Sequence, residues 1–204
     1  MLIFHGPRLV VFSIPRTGST SLHEALRPHA DIEFSNPPRE KHMNVSRFER
    51  WCARRGESYA GYTRVAVMRE PLARLGSWYR YRQRPEVQGT ETSTEDMSFA
   101  EFIAQGLDME APAAANIGNQ HRFVTREDGT FGVDEIFCIE RSEVMRAFFA
   151  GHFGALTLGH RNASGVAPLT LSAALEARLR RARAAEFALY ARVARTGRLT
   201  VTRG

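Results

Sequence analysis

Lysine is almost absent from this chain. Of its 28 basic side chains, 27 are arginine, and Lys41 is the single lysine. Cysteine is scarce as well, because Cys52 and Cys138 are the only two and lie far apart without the spacing of a metal site. We expect both thiols to be buried and reduced.

Long apolar runs are also missing. No stretch approaches the roughly 20 apolar residues that a membrane-spanning helix needs, and residues 1–12 lead into an Arg-Thr-Gly turn, not a signal cleavage site. We therefore expect a soluble, cytoplasmic protein. A length of 204 residues with 43% hydrophobic content suits one domain over residues 1–204.

The formal net charge is +6, which favours an anionic partner: a nucleotide, an acidic polysaccharide, an acidic lipid or a nucleic acid. A nucleic-acid module is the weakest of these, because the sequence has no helix-turn-helix, zinc-finger or RNP pattern. We therefore expect no nucleic-acid partner. The charge alone leaves the other classes open.

Short apolar segments alternate with longer amphipathic ones. Strands are predicted over 9–14, 32–34, 63–68 and 135–140. Helices are predicted over 18–26, 45–54, 71–84, 98–105, 112–125, 142–153 and 172–194. This alternation predicts a three-layer α/β fold, in which helices cover both faces of a mostly parallel sheet.

A hydroxyl-rich turn follows the first of these strands. It contains Pro15, Arg16, Thr17, Gly18, Ser19, Thr20 and Ser21. Unpaired N–H groups at the start of the next helix, the helix dipole, the hydroxyls and one arginine together favour a bound phosphate. A capped helix with no ligand is the simpler alternative. The turn lacks the Walker A pattern G-x-x-x-x-G-K-S/T, which disfavours an ATPase or GTPase.

A second candidate anion site follows the strand at 63–68. Arg69 comes directly after this strand, and Ser77 follows eight residues later. Eight residues are little more than two helical turns, so Ser77 can lie on the side of the helix that faces the strand end. One phosphate can then touch both residues. Arg74, Arg80, Arg82 and Arg84 also lie on this helix, where a solvated basic face is the simplest interpretation.

These two segments resemble the phosphate-binding motifs of sulfotransferases that use 3′-phosphoadenosine 5′-phosphosulfate (PAPS). The family's 5′-phosphosulfate loop reads P-K-T/S-G-S/T-T/S, and residues 15–20 match it except that Arg16 replaces the lysine. The lysine stabilises the leaving oxygen there, whereas arginine can hold that charge but hardly donates a proton. The resemblance implies a P-loop-NTPase-like fold, PAPS as co-substrate, and a 3′-phosphate site at Arg69 and Ser77.

Two later segments carry the likeness further. Residues 160–164 resemble an H-x-N-x-S loop, and residues 184–190 resemble a Y-x-x-D-F-x-L-Y helix of family members that act on carbohydrate chains and bacterial products. The resemblance makes Arg161 a further phosphate contact. Phe187 and Tyr190 are expected in the core.

The acceptor hydroxyl needs a base, and a neutral histidine suits that task near neutral pH. Among seven histidines, His42 is chosen because similar sulfotransferases have K-H followed by a small or apolar residue at this place. Lys41 is expected to supply part of the acid function that Arg16 lacks. No metal is required by these residues.

Two alternatives remain open from the sequence: a non-catalytic domain that binds 3′-phosphoadenosine nucleotides, and a kinase-like phosphotransferase. The kinase would need magnesium ligands and a Walker lysine. The acceptor is expected to be a carbohydrate, including an acidic glycan, or a small molecule. Its specificity would come from the segments 85–97 and 106–121, of which the first is expected to be a mobile loop or lid. The oligomeric state is not predicted.

Overall fold

The computed structural model describes residues 1–157, 159 and 169–203. Within these residues, six strands form one sheet: β1 Leu2–Phe4, β2 Leu9–Val11, β3 Ile32–Glu33, β4 Thr63–Met68, β5 Glu135–Cys138 and β6 Arg198–Thr200. Their order is β3-β1-β2-β4-β5-β6. Strands β2, β4 and β5 pair in parallel, whereas β1 and β6 run antiparallel to their neighbours. The carboxyl ends of β2 and β4 therefore meet at one edge of the sheet.

The helices alternate with these strands. They are α1 Ser19–Leu26, α2 Pro38–Lys41, α3 Val45–Arg55, α4 Pro71–Arg82, α5 Phe99–Gln105, α6 Gln120–Val124, α7 Ser142–Phe153, α8 Ala173–Ala182 and α9 Ala184–Ala194. Local sequence explains several helix starts: Asn44 caps α3, Ser98 and Glu101 form a capping box at α5, and Ser172 caps α8. Pro71 occupies the first turn of α4, where a missing N–H group costs nothing.

Two apolar layers cover the sheet. On one face, side chains of α3, α6 and α9 pack against alternate strand residues such as Val10 and Met68. On the other face, α1 and α7 pack against Val11 and Val67. The predicted three-layer α/β fold is confirmed, and four of the six strands share one direction. Cys52 and Cys138 are buried free thiols, as expected.

A third apolar cluster lies beside the sheet and joins α4, α5 and α8. Tyr79, Phe102 and Leu179 are buried at its centre. The cluster fixes α4 from the side away from the sheet, so α4 holds its position relative to the strand end that precedes it. Phe187 packs against this cluster and Tyr190 against the first apolar layer, each partly buried.

Several predicted boundaries were wrong. Strands β1 and β6 were not predicted, because β1 has only three residues and β6 has mostly exposed side chains. The predicted helix 112–125 is reduced to α6, and the predicted helix 172–194 is divided at Arg183. Helix α2 was not predicted; it begins at Pro38, because proline suits a first helical turn, and Lys41 is its last residue.

Candidate active site

The hydroxyl-rich turn lies between β2 and α1, as predicted. Gly18 is the N-terminal cap of α1, and the first turn contains no acidic residue. The first helical hydrogen bond runs from the Leu22 N–H to the Gly18 carbonyl, so the N–H groups of the first three helical residues have no helical partner. Ser19 and Ser21 are partly exposed and Thr20 is exposed. The turn can therefore present several donors to an anion.

The backbone of this turn is tightly constrained. Arg16 has a φ of 68° and Gly18 a φ of 72°, both in the left-handed region. A Cβ atom at Gly18 would collide with the Ile139 side chain, which follows β5. Buried Thr17 donates its hydroxyl to the Ile14 carbonyl at 2.9 Å, so its O–H is used within the turn. Thr17 can therefore donate to a ligand through its backbone N–H but not through its hydroxyl.

Arg16 extends away from its own turn and reaches α4. Its Nε donates to the Ser77 Oγ at 3.1 Å, and its guanidinium carbon lies 4.8 Å from the centre of the Tyr81 ring. Burial lowers the pKa of Arg16, and the positive charge of Arg84 lowers it further. The structure thus joins the two predicted phosphate motifs through one arginine.

Arg69 stands at the carboxyl end of β4 and is half-buried. Gln120 holds its backbone on both sides: the Arg69 N–H donates to Gln120 Oε1 at 3.0 Å, and Gln120 Nε2 donates to the Arg69 carbonyl at 2.9 Å. Among the described residues, no carboxylate pairs with the Arg69 guanidinium. Its backbone is fixed while its charge remains available.

Glu186 positions Gln120, whose side chain holds the Arg69 backbone. The sequence did not identify Glu186 as a site residue. Glu186 is 1% exposed and accepts hydrogen bonds from the backbone N–H and the side-chain amide of Gln120. It occupies the acidic position of the Y-x-x-D-F-x-L-Y pattern on α9. That position was the signal that could have identified it.

Arg74 was assigned to a solvated face, and this was wrong. It is 4% exposed, donates to the Pro15 carbonyl at 3.0 Å and the Gly118 carbonyl at 2.8 Å, and lies 3.9 Å from Glu186. Burial lowers the pKa of Arg74 to about 10. Its spacing on α4 gave no signal that separates it from exposed arginines. Arg74 ties the start of the hydroxyl-rich turn to α4 and α9.

Arg82 also departs from the expected solvated face. It is 9% exposed and donates to the backbone carbonyls of Ala113 and Ala114, and its guanidinium carbon lies 5.2 Å from the Trp78 ring. Arg82 therefore fixes the segment before α6 against α4. Arg84, just past the end of α4, is exposed as expected.

His42 follows α2 and contacts the end of the β2 segment. Its Nδ1 lies 2.6 Å from the Ser13 carbonyl oxygen. Because a carbonyl only accepts, Nδ1 must carry the proton, and neutral His42 has its lone pair on Nε2. Burial lowers the pKa of His42, and the positive charge of Lys41 adds to this effect against the opposing Ser13 hydrogen bond. The arrangement suits a proton acceptor held beside the turn.

Other histidines have structural partners. His23 Nε2 lies 2.8 Å from Glu33 Oε1, and His5 Nδ1 lies 2.9 Å from the Tyr62 hydroxyl. Lys41 is half-buried, and no carboxylate of the described residues pairs with it. Its side chain makes no hydrogen bond to the turn in the described part of the chain.

A cleft of about 590 Å³ opens beside the turn, and His42 is not part of its lining. Pro15 and Asn44 lie on its wall, together with Trp78 of α4. Residues from 106 to 119 form much of the remaining lining. The segment 85–97 does not line this cleft, and it is attached to α4 because buried Thr94 donates its hydroxyl to the Tyr79 carbonyl.

The predicted contact at Arg161, with the H-x-N-x-S segment around it, lies outside the described residues. Within the described part of the chain, no three acidic, histidine or cysteine side chains are grouped as a metal site would require. None of the helices in that part has the length and hydrophobicity to cross a bilayer.

Comparison with known protein families gives a match. A family model described as the sulfotransferase family matches residues 1–128, a range that contains Arg16, His42, Arg69 and Ser77. Strand β5 and the elements after it lie beyond the match. No curated protein and no solved structure matches the chain. Because the family match covers more than half of the 204 residues, the chain belongs to the sulfotransferase family.

Proposed function

We propose that this protein transfers a sulfuryl group from PAPS to an acceptor hydroxyl. The observation that carries the proposal is the 3.1 Å hydrogen bond from Arg16 Nε to Ser77 Oγ. Through this bond, the turn before α1, which suits one phosphate, adjoins Ser77, which with Arg69 suits a second phosphate. PAPS carries anionic groups at both its 5′ and 3′ ends, and such a ligand fits two adjoining anion sites.

Each end of the nucleotide has its own set of residues in this proposal. The turn holds the 5′-phosphosulfate through Thr17, Gly18, Ser19, Thr20 and Ser21, mainly by backbone N–H groups and exposed hydroxyls. Arg69 and Ser77 hold the 3′-phosphate, with Arg161 as a further contact. The support is that the first three N–H groups of α1 have no helical partner and that no carboxylate of the described residues pairs with Arg69.

The reaction is an in-line displacement at sulfur. The acceptor oxygen forms a bond to sulfur while the bond from sulfur to the 5′-phosphate oxygen breaks, and 3′-phosphoadenosine 5′-phosphate leaves. His42 Nε2 takes the acceptor proton, because Nδ1 is already committed to the Ser13 carbonyl. Preorganised donors of the turn stabilise the charge on the leaving phosphate.

Arg16 and Lys41 supply positive charge near the reacting groups. Arg16 stabilises the leaving oxygen by charge, and Lys41, next to the base, supports the sulfuryl group or the acceptor. The support for Lys41 is its position beside His42 and its lack of a carboxylate partner among the described residues. No metal enters the proposed reaction.

The acceptor enters through the cleft that begins at Pro15 and Asn44. A carbohydrate, an acidic glycan or a small molecule with a hydroxyl group is the proposed acceptor class, and no nucleic acid is involved. Residues 106–119 set the specificity, because they form much of the cleft wall. The proposed location is the cytoplasm. Residues 1–204 are proposed to form one domain, because β1 near the start and β6 near the end of the chain belong to the same sheet.

The test combines ligand binding with a transfer assay. Calorimetry should detect binding of 3′-phosphoadenosine 5′-phosphate, and excess ATP should not displace it. Labelled PAPS with a panel of carbohydrate and small-molecule hydroxyl acceptors should give a labelled product. Tight binding of the nucleotide without transfer to any acceptor would support the non-catalytic alternative. Displacement by ATP with magnesium would support the kinase-like alternative.

A further inference from the structure

Arg69 and Arg84 both lie close to Arg16, which donates to Ser77, and no carboxylate among the described residues pairs with any of the three arginines. The guanidinium carbons of Arg16 and Arg84 lie 4.8 Å and 5.3 Å from the centre of the same Tyr81 ring. Arg69 is close enough for its charge to lower the pKa of Arg16. None of the three forms an ion pair within the described residues.

The positions of Ser77 and Tyr81 on α4 explain why Arg16 and Arg84 share one aromatic ring. Ser77 and Tyr81 are four residues apart on α4, so they lie one helical turn apart on the same face. The chain leaves the helix in a turn after α4, where the Arg84 N–H donates to the Tyr81 carbonyl at 3.3 Å. In this turn, Arg84 lies beside the Tyr81 ring.

The arrangement is costly without a ligand. Like charges at short range repel, and Arg16 is partly desolvated and has a φ in the left-handed region. The Tyr81 ring offsets part of this cost, because cations are attracted to aromatic faces. An anion carrying two negative charges would offset the rest, and guanidinium groups bind phosphate oxygens by paired N–H donors.

We propose that Arg84 and Tyr81 are specificity-determining residues that, beside Arg69 and Ser77, recognise the 3′-phosphate of the donor nucleotide. This inference rests on the proposed function and adds two residues that neither motif contains. Arg84 supplies a further positive charge at that end of the site, and the Tyr81 ring holds Arg84 there. The site then distinguishes nucleotides that carry a 3′-phosphate from those that lack one.

Calorimetry with two nucleotides tests the inference without an acceptor or a transfer assay. The probes are 3′-phosphoadenosine 5′-phosphate and adenosine 5′-phosphate, which differ only by the 3′-phosphate. Arg84→Ala should weaken binding of the first by roughly tenfold, the loss of one charged contact. Binding of the second should change by less than about twofold. Tyr81→Leu should act in the same direction, whereas Tyr81→Phe, which keeps the ring, should bind both nucleotides like the unaltered protein.

Arg146→Ala is the matched control, because Arg146 is an exposed arginine on α7 and its removal changes the net charge equally. It should leave binding of both nucleotides unchanged. Equal binding of 3′-phosphoadenosine 5′-phosphate by Arg84→Ala and the unaltered protein would overturn this inference alone. An equal loss for both nucleotides would do the same. Failure of the unaltered protein to bind 3′-phosphoadenosine 5′-phosphate would overturn the proposed function together with it.

Discussion

His42 and Ser13 are joined by a 2.6 Å contact between Nδ1 and a backbone carbonyl oxygen. The contact fixes the tautomer of the histidine and leaves Nε2 as the acceptor. It also ties the residue after α2 to the end of the β2 segment, directly before the hydroxyl-rich turn. The proposed base and the proposed donor site are thus held by the same short stretch of chain.

Replacing this histidine tests its assignment as the base. We expect His42→Ala to lower kcat by roughly 10²–10⁴-fold, the usual contribution of a general base. Binding of 3′-phosphoadenosine 5′-phosphate should stay unchanged, because His42 is not assigned to the nucleotide. His29→Ala removes an exposed histidine and serves as the control. Full turnover by His42→Ala would remove His42 from the mechanism.

The lowered pKa of His42 predicts the pH dependence of transfer. The base works only when neutral, and its pKa lies below the ordinary value of about 6.5, since burial disfavours the charged form. We therefore expect kcat/KM to fall on acidification below about pH 6.5 and to be level above it. The residual activity of His42→Gln should lack this acidic limb. An acidic limb that survives in His42→Gln would assign the titration to another group.

The sequence predicts those parts of the site that depend on neighbouring residues along the chain. The turn at residues 15–21 is such a part, because a strand, a glycine and a helix start determine it locally. Arg69 is predicted for the same reason, since it ends an apolar strand. The structure adds the contact between Arg16 and Ser77, which depends on how α4 packs beside the turn.

The parts that the sequence did not predict depend on packing between distant segments. Gln120 and Glu186 meet only because α6 and α9 pack on the same face of the sheet. The edge strand β6 has little apolar signal, and its pairing to β5 includes an ion pair between Arg198 and Glu135 at 2.8 Å. Amphipathic periodicity reports which face is buried, but it does not report the partner of a buried polar side chain.

Gly18 provides a test of the turn itself. Gly18→Ala places a Cβ in the left-handed region, at a cost of about 1–2 kcal/mol, and adds a collision with Ile139. We expect lower stability and weaker binding of 3′-phosphoadenosine 5′-phosphate. Gly89→Ala is a close control, because Gly89 has the same φ of 72° and open space around its Cβ position.

The difference between the two glycine variants measures the contact with Ile139, since the backbone cost is common to both. Denaturant unfolding gives the stability and calorimetry gives the affinity. The double variant Gly18→Ala with Ile139→Ala should regain part of the lost nucleotide affinity. If Gly18→Ala binds the nucleotide as tightly as Gly89→Ala does, the turn does not hold the phosphosulfate in the way proposed.

Arg74 provides a test of the framework behind the site. It is buried between the Pro15 and Gly118 carbonyls, and its charge faces Glu186 at 3.9 Å. Arg74→Ala leaves the Pro15 and Gly118 carbonyls without this donor, while Glu186 keeps its ion pair with Arg183 at 3.3 Å, so we expect a loss of about 2–3 kcal/mol in the free energy of unfolding. Urea unfolding followed by circular dichroism measures it.

Arg180→Ala is the control for Arg74→Ala, because Arg180 is exposed and pairs with Glu176 at 2.7 Å one turn away on α8. An exposed pair of this kind contributes less than about 1 kcal/mol. The contrast between the two variants therefore isolates the effect of burial from the effect of losing an arginine. A loss at Arg74 no greater than at Arg180 would mean that the buried pair with Glu186 adds nothing to stability, and that the turn and α4 are held together by apolar packing alone.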